Sequence, residues 1–268
     1  MKVQGKVVVV TGAGSGMGRE LTLELLRRGA KVAAVDMRPE TLEETKNLAK
    51  AISQNVATFP MDITDAKKVA ALPGDVKKAL GQADALINNA GIIQPFVMVN
   101  DLTMDQIHHV MNVNFDGPIM LIKAFLPGLL KRPEGHILNV SSMGAYAPVP
   151  GQSVYGASKA AIKLLTEGLR SELSSTKVGV TVVFPGAIAT NIAQNSGMEI
   201  PEGAAENSTM KTTAADFAAK QMVDAIENNK PRITIGSDAK LMDRLSRLNP
   251  VFAAKLIYKQ MADLLGSN

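Results

Sequence analysis

Three residues of this chain have the types and the spacing needed for proton transfer at an alcohol or carbonyl oxygen. Tyr155 and Lys159 lie four positions apart, and Ser142 lies thirteen residues before the tyrosine. Residues four apart share a helix face, so the Lys159 ammonium can approach the phenol and favour its ionised form. That lowers the pKa of the phenol from about 10 toward neutral pH, where general acid/base catalysis is efficient. Ser142 then supplies a second hydrogen bond to the reacting oxygen, although a tyrosine and a lysine at this spacing also occur on solvated helix surfaces.

A glycine-rich turn near the start of the chain predicts a nucleotide site. Strand-like residues 6–10 lead into the segment from Thr11 to Gly18 and then into an apolar helical pattern. The glycines let backbone amides at a helix N-terminus approach a pyrophosphate. A second strand ends in Asp36, about 20 positions beyond the turn, where an acidic residue binds a ribose 2′-hydroxyl. The spacing departs from the common dinucleotide fingerprint because position 17 is Met, and a flexible turn is the plain alternative.

Strand-like and helical segments alternate along the chain. Strands are predicted at 6–10, 30–36, 56–62, 84–88, 136–141, 180–184 and 232–236, with helices at 39–53, 65–80, 103–130, 152–175 and 214–228. Such alternation predicts parallel strands with right-handed crossovers. The expected fold is therefore α/β: a Rossmann-type doubly wound parallel sheet of three layers in a single domain. Its ligands should lie at the carboxyl ends of the strands.

The ordered motifs of the chain resemble those of the short-chain dehydrogenase/reductase family in its compact single-domain form. The resemblance covers nearly the whole sequence. It rests on Thr11 to Gly18, Asp62, Asn88-Asn89-Ala90-Gly91, Asn114 in Asn-Phe-Asp-Gly, Ser142, the Tyr155 and Lys159 pair, and Pro185-Gly186 with Thr190.

The resemblance implies a catalytic set of Asn114, Ser142, Tyr155 and Lys159, in which Lys159 also binds the nicotinamide ribose and Asn114 holds a proton-relay water. It also implies a bound nicotinamide dinucleotide. The expected cofactor-binding residues are Gly12, Ser15, Gly16, Met17, Gly18, Asp36, Arg38, Asp62, Ile63, Asn89, Ala90, Gly91, Tyr155, Lys159, Pro185, Gly186, Ile188 and Thr190. In the family the helices corresponding to those of Asn114 and Tyr155 pair subunits, so a homodimer or homotetramer is expected.

Two residues at the end of the second strand bear on the choice of cofactor. The Asp36 carboxylate can accept hydrogen bonds from ribose hydroxyls, and it would repel an NADP 2′-phosphate of about −1.5 to −2 charge. Arg38 acts in the opposite direction, because a guanidinium can bind that phosphate or stack on the adenine. NAD is the expected cofactor, and NADP is the alternative.

Residues 187–213 are rich in Asn, Gly, Ser, Thr and Glu and follow the predicted nicotinamide segment. A loop of this length in a compact domain predicts a substrate lid, with an ordinary solvated loop as the alternative. The lid and the catalytic run carry apolar residues, which favour a lipophilic secondary alcohol or ketone, although core packing explains the same residues. The predicted substrate contacts are Ser142, Met143, Val149, Tyr155 and Ile192.

The chain is predicted to comprise a nucleotide-binding domain at 1–238 and a helical extension of that domain at 239–268. Apolar residues at helical spacing between Lys240 and Leu265, interrupted by Pro250, predict two short amphipathic helices. Five basic residues accompany two acidic ones, Asp243 and Asp263, in that stretch. The extension either packs on its own domain or a neighbouring subunit, or its basic face touches a membrane surface or covers a lipophilic substrate.

Composition excludes several classes of protein. The 268 residues contain no cysteine, which excludes disulfides and thiolate metal sites and fits a reducing cytoplasm. A net charge of +4 is dispersed, and there is no Trp, so no nucleic-acid partner is expected. His108, His109 and His136 form no metal-ligand pattern, and no metal site is predicted. The sequence shows no pattern of a secretory signal. It also has no run of about 18 apolar residues, the length that would predict a membrane span.

These features together predict a cytoplasmic oxidoreductase that transfers a hydride between a nicotinamide cofactor and a secondary alcohol or ketone. The alternative is a regulatory protein of the same fold that senses the nucleotide without turnover, because the fold alone does not separate the two. The paired phenol and ammonium favour the enzyme, since a sensor has no use for them.

Overall fold

The computed structural model describes residues 1–190, 192–197 and 212–261, and the side chains as far as 259. Seven strands form one parallel sheet in the order β3-β2-β1-β4-β5-β6-β7. They are β1 Val7–Thr11, β2 Lys31–Asp36, β3 Val56–Pro60, β4 Ala85–Asn88, β5 Gly135–Val140, β6 Val178–Pro185 and β7 Arg232–Ile235. The expected doubly wound sheet is confirmed. The chain order reverses between β1 and β4, which is where such sheets bind ligands.

Helices cover both faces of the sheet. They are α1 Gly16–Arg27, α2 Pro39–Leu48, α3 Ala66–Leu80, α4 Met104–Met111, α5 Gly117–Leu129, α6 Ser153–Glu172, α7 Ile192–Asn195, α8 Ala215–Glu227, α9 Ser237–Leu248 and α10 Pro250–Met261. Within the described residues, none of these helices is long and apolar enough to cross a membrane.

The core lies in two layers because side chains alternate along each buried strand. Val8 and Val10 face a layer that includes Leu21 and Leu25 of α1 and Met222 of α8. Val7 and Val9 face the opposite layer, which α3, α5 and α6 supply. Both faces of β1 are therefore buried, and this holds the loop that follows it rigidly at the edge of the sheet.

Two predicted helices differ from the observed ones. The helix predicted at 39–53 ends at Leu48, and a 3₁₀ turn follows at Lys50–Asn55. Lys50 has a φ of +51°, in the left-handed region, which an α-helix cannot continue through. The helix predicted at 103–130 is interrupted by a π-helical segment at Asn112–Asp116. This single widened turn contains Asn114.

The predicted lid and tail are described in part. Residues 191 and 198–211 of the lid lie outside the described residues, as do 262–268 of the tail. The base of the loop is closed by a parallel bridge between Ile188 and Thr213. The tail forms two helices, α9 and α10, and α9 begins at Ser237, so the predicted boundary between 238 and 239 falls inside a helix.

Candidate active site

The predicted proton-transfer residues meet at the carboxyl end of β5. Tyr155 and Lys159 lie in the first two turns of α6, and Ser142 follows β5 directly. Lys159 is buried, its Nζ donates to the Val140 carbonyl at 3.2 Å, and it lies 5.9 Å from the centroid of the Tyr155 ring. The Ser142 Oγ accepts a hydrogen bond from the Gly144 amide at 3.0 Å. The spacing in sequence thus produces the expected cluster.

Burial controls the acidity of both members of the pair. It raises the pKa of the Tyr155 phenol, and a hydrogen bond from the Ser142 side chain opposes that rise. Burial also lowers the pKa of the Lys159 ammonium to about 8. The expectation that Lys159 lowers the pKa of the phenol is therefore wrong for the chain alone. The Lys159 ammonium points to a backbone carbonyl, so desolvation of the phenol dominates.

Asn114 is held by protein groups on three sides. Its Oδ1 accepts from the Ile92 amide at 2.9 Å, and its Nδ2 donates to the Ile92 carbonyl at 2.9 Å and to Ser158 Oγ at 3.0 Å. The side chain therefore joins the loop after β4 to α6. Oδ1 accepts one of these bonds and keeps a second lone pair, and the role of Asn114 in holding a water stays a prediction.

Gly91 leaves room for the side chains of Lys159 and Asn114. A Cβ at this position would lie 2.9 Å from Lys159 Nζ and 3.1 Å from Asn114 Oδ1. Any side chain here would displace one of these polar groups. The glycine of the Asn-Asn-Ala-Gly motif is thus explained by the close approach of Lys159 and Asn114.

A cavity of about 540 Å³ opens beside this cluster. Thirteen of the predicted site residues line it: Gly12, Ser15, Gly16, Met17, Asp36, Arg38, Asp62, Ile63, Asn89, Ala90, Gly91, Thr190 and Ile192. The other residues expected at the cofactor lie outside the lining: Gly18, Tyr155, Lys159, Pro185, Gly186 and Ile188. Gly18 instead packs directly on the Gly12 carbonyl, which leaves no space for a Cβ.

Three observations indicate that the cavity fits a dinucleotide. The α1 N-terminus carries no side-chain cap and no acidic residue in its first turn, so its amides are free to bind an anion. Gly12 and Gly16 have positive φ angles of +67° and +50° that place their backbone against the cavity. The buried Asn89 Oδ1 lines the same cavity and has no hydrogen-bond partner among the described residues.

The end of β2 carries an ordered polar network. Asp36 accepts hydrogen bonds from the Gly14 amide at 3.0 Å and the Arg38 amide at 3.1 Å. The Arg38 Nε lies 3.7 Å from Asp36, while its terminal nitrogens reach Ser15 at 3.3 Å and Asn195 at 2.8 Å. The carboxylate is thus fixed by backbone groups, and the guanidinium spans the mouth of the cavity to α7.

The predicted substrate contacts do not all lie together. Met143 and Val149 pack against an apolar cluster formed with the tail, whose buried members are Ala147, Met242, Ala253 and Ile257. Ile192 lies on α7 and lines the dinucleotide cavity instead. Its assignment as a substrate contact stays a prediction, and within the described residues it lies apart from Met143 and Val149.

Several lining residues were missed in the sequence: Met37, Met61, Ile92, His109, Val113, Asn195, Ser196 and Gly197. Met37 and Met61 each adjoin a predicted residue at a strand end, so their position at the carboxyl edge of the sheet was an available signal. His109 and Val113 lie one turn apart on the helix that leads to Asn114. Asn195 to Gly197 carry no pattern of their own. Among the described residues, no group of three or more His, Cys, Asp or Glu side chains has the arrangement of a metal site.

Comparison with known proteins agrees with this geometry. The family of short chain dehydrogenases matches residues 6–200. SadH of Mycobacterium tuberculosis, a protein named as an oxidoreductase, is 35% identical over 252 residues, which is 91% of each chain. A short chain dehydrogenase/reductase of Burkholderia phymatum in complex with NAD superposes with a TM-score of 0.82 at 25% identity, covering 94% of this chain and 98% of that one.

A short chain dehydrogenase of Burkholderia cenocepacia in complex with NADP covers all of both chains, with a TM-score of 0.78 at 27% identity. The family match spans well over half of the chain, and it includes the glycine turn, the Asn89 loop and the Tyr155 and Lys159 pair. The chain therefore belongs to the short-chain dehydrogenase/reductase family of nicotinamide-dependent oxidoreductases.

Proposed function

We propose that this protein uses NAD to interconvert a lipophilic secondary alcohol and its ketone. The observation that carries the proposal is the position of Tyr155 and Lys159, with Ser142, beside a cavity that fits a dinucleotide. The relative from Burkholderia phymatum binds NAD, which supports the choice of cofactor.

Each side chain of the cluster has a proposed task. When a ketone is reduced, the Tyr155 Oη gives its proton to the carbonyl oxygen while Ser142 Oγ holds that oxygen by a hydrogen bond. The bound cofactor supplies the hydride. Burial raises the phenol pKa and so keeps Tyr155 protonated before the reaction. We assign the Lys159 ammonium, 5.9 Å from the centroid of the Tyr155 ring, to stabilising the phenolate once cofactor and substrate are bound. We also assign Lys159 to the nicotinamide ribose, because its Nζ lies next to Gly91, which lines the cavity. Asn114 holds the loop at Ile92 against α6.

The preference for NAD follows from how the two residues after β2 are held. Asp36 is buried and accepts two backbone hydrogen bonds, so its charge stays at the cavity wall. Arg38 is more exposed and its terminal nitrogens already contact Ser15 and Asn195. A 2′-phosphate would be repelled by the fixed Asp36 carboxylate, and the Arg38 guanidinium that could bind it already contacts Ser15 and Asn195.

The proposal of a lipophilic substrate is supported by the wall next to Ser142. Met143 and Val149 follow Ser142 in the chain, and both pack against the apolar cluster that includes tail residues. Tyr146 fixes this wall, because its hydroxyl donates to the Ala239 carbonyl at 2.9 Å and its ring packs on Phe184. Apolar substrate groups would lie against the same surface.

The experiment that tests the function compares two pairs of variants with nicotinamide absorbance as the readout. Tyr155→Phe should lower turnover of secondary alcohols by about 100-fold or more and leave NADH affinity unchanged, because only the proton donor is lost. Tyr258→Phe, at an exposed tyrosine of α10, is its control. Retained turnover in Tyr155→Phe would remove the phenol from the mechanism. Binding of NADH by a wild type that turns over no alcohol or ketone would favour the nucleotide sensor.

Lys159→Ala should weaken NADH binding as well as turnover, because one ammonium serves the ribose and the phenol. Lys163→Ala is the matched control, since Lys163 lies one turn further along α6 and pairs with Glu167 at 2.8 Å. Unchanged NADH affinity in Lys159→Ala would refute the double role.

We further propose that the outer face of α9 and α10 rests on an anionic lipid surface. Within 237–259, the exposed apolar side chains are Leu241, Leu248, Val251, Phe252 and Tyr258, and the cations are Lys240, Arg244, Arg247, Lys255 and Lys259. The two carboxylates of this stretch are engaged, Asp238 by the Ala187 amide and Asp243 by Arg232 and by Arg247, so four of the five cations remain for headgroups. A second copy on this face would oppose like charges, whereas anionic headgroups complement them.

Sedimentation with phospholipid vesicles tests this contact. The wild type should sediment with vesicles that contain anionic lipid and remain free of neutral ones. Phe252→Ser should reduce the bound fraction, and Phe217→Ser, at an exposed phenylalanine of α8, should not. Absence of binding to anionic vesicles would refute the proposal. An increase of the molar mass with protein concentration that Phe252→Ser abolishes would also refute it, because this face would then bind a second copy of the chain.

A further inference from the structure

The first turn of α6 lacks a cap from its own sequence. The helix begins at Ser153, and the residue before it, Gln152, makes no side-chain cap hydrogen bond. The first amides of a helix have no partner inside the helix, and leaving them unpaired when buried is costly. Tyr155 is the third residue of this turn, so the same amides determine where its phenol lies.

Gln94 supplies the missing cap from a distant loop. Its Oε1 accepts from the Val154 amide at 2.8 Å and from the Tyr155 amide at 2.9 Å. The Gln94 Nε2 donates to the Gly151 carbonyl at 2.8 Å, and the backbone carbonyl of Gln94 accepts from Gln152 Nε2 at 2.7 Å. Gln94 is 1% exposed, so water does not compete for these bonds.

The loop that carries Gln94 also carries the cofactor residues. Asn89 and Ala90 are bound to Thr11 of β1, and Ile92 is bound to Asn114. Ile93 donates to Ser196 Oγ at 3.0 Å in the segment after α7. Six consecutive residues therefore join the glycine turn, Asn114 and the α6 N-terminus.

From this geometry we infer that Gln94 is a positioning residue for the Tyr155 phenol, and that it fixes the phenol relative to the bound cofactor through the shared loop. The inference rests on the proposed function, because positioning has meaning only if Tyr155 transfers the proton. Gln94 touches no reacting atom. Its effect passes through the backbone amides of Val154 and Tyr155.

Three substitutions separate hydrogen bonding from packing. Gln94→Ala removes the side chain, Gln94→Met fills a similar volume without an acceptor, and Gln94→Glu keeps an acceptor for both amides at the positive end of a helix. We expect Gln94→Ala and Gln94→Met to lower kcat by about tenfold, less than the 10²- to 10⁴-fold loss of the acid itself. Gln94→Glu should recover part of the kcat lost in Gln94→Met, since both amide bonds remain while the bond to the Gly151 carbonyl is replaced by repulsion between two oxygens. NADH affinity should stay within about twofold in all three, because the loop is still bound to Thr11.

The matched control is Gln106→Ala. Gln106 also satisfies a helix N-terminus, by accepting from the Thr103 amide at 2.9 Å at the start of α4, but on an exposed surface. This variant should keep wild-type kcat. Unfolding midpoints are measured for every variant, and kinetics are compared well below the lowest of them.

Each outcome decides the inference. Equal kcat in Gln94→Met and Gln94→Glu would show that only volume matters at this position. A wild-type kcat in Gln94→Ala, or a change confined to NADH affinity, would also overturn it, and so would failure of all three variants to fold. If the wild type itself oxidises no alcohol with NAD, the proposed function fails instead, and the two failures are thereby distinguished.

Discussion

Neutralising Asp36 should shift cofactor preference toward NADP by a predictable amount. The Asp36 carboxylate is fixed at the cavity wall by the Gly14 and Arg38 amides, at 3.0 and 3.1 Å. A 2′-phosphate of about −1.5 charge at roughly 6 Å from it is repelled by about 1 to 3 kcal/mol for an effective dielectric of about 30 to 80 in a solvent-facing cavity. Arg38 offsets part of this, but its guanidinium is partly exposed and shared with Asp36, Ser15 and Asn195.

That energy corresponds to roughly a ten- to hundredfold preference for NAD. Asp36→Ala should remove most of the preference, chiefly by improving NADPH binding, and it also loses two backbone hydrogen bonds. Asp36→Asn removes the charge while keeping the shape, so it isolates the electrostatic part. Glu40→Gln is the control, because Glu40 carries the same charge in the first turn of α2 but does not line the cavity.

The assay is a fluorescence titration with NADH and NADPH at two salt concentrations. Higher salt screens the repulsion, so the ratio of the NADPH to the NADH dissociation constant should become smaller in the wild type. The same ratio should stay nearly constant in Asp36→Asn. Equal or tighter NADPH binding by the wild type would show that Arg38 dominates. A ratio that moves as much in Glu40→Gln would show that net charge, rather than the position of Asp36, sets the preference.

Three further outcomes follow from the same structure. Burial lowers the pKa of His136 from 6.5 to about 3, so the free energy of unfolding decreases as the pH falls from 6.5 toward 3. Urea titrations at pH 7 and pH 4 should show that this decrease is a few kcal/mol smaller in His136→Asn than in the wild type. Gly18→Ala should abolish NADH binding or folding, because its Cβ would overlap the Gly12 carbonyl, whereas Gly74→Ala, where the space is open, should do neither. Leu164 is 69% exposed in an apolar hollow of α6, so light scattering should show a dimer or tetramer that Leu164→Glu dissociates; a monomeric wild type would contradict this.

The sheet was predictable because its signals are local. Valine-rich segments such as Val7–Thr11 are buried on both faces, so a short apolar run ending in a glycine turn indicates a central strand by itself. The glycine turn, Asp36 and the Asn89 loop follow strand ends directly. Their meeting at one edge is a consequence of parallel strands, and it needs no knowledge of individual contacts.

Contacts between distant segments were not predictable in this way. Gln94 meets Tyr155 across 61 positions, and nothing in its neighbourhood marks it as a cap. The direction of the Tyr155 pKa shift depends on how deeply the phenol is buried and on where the Lys159 ammonium points, and both are set by the tertiary structure. The π-helical turn at Asn114 ends directly before Gly117 and Pro118. Pro118 has no N–H to donate to the Asn114 carbonyl, so this interruption of the helix did have a local signal.

The apolar cluster between the tail and the loop after Ser142 is separate from the two layers that stabilise the sheet. Its buried members Ala147, Met242, Ala253 and Ile257 belong to neither layer. Exchange of side chains there, or of the tail as a unit, should change which molecules are accepted while the dinucleotide cavity and the proton donor keep their geometry.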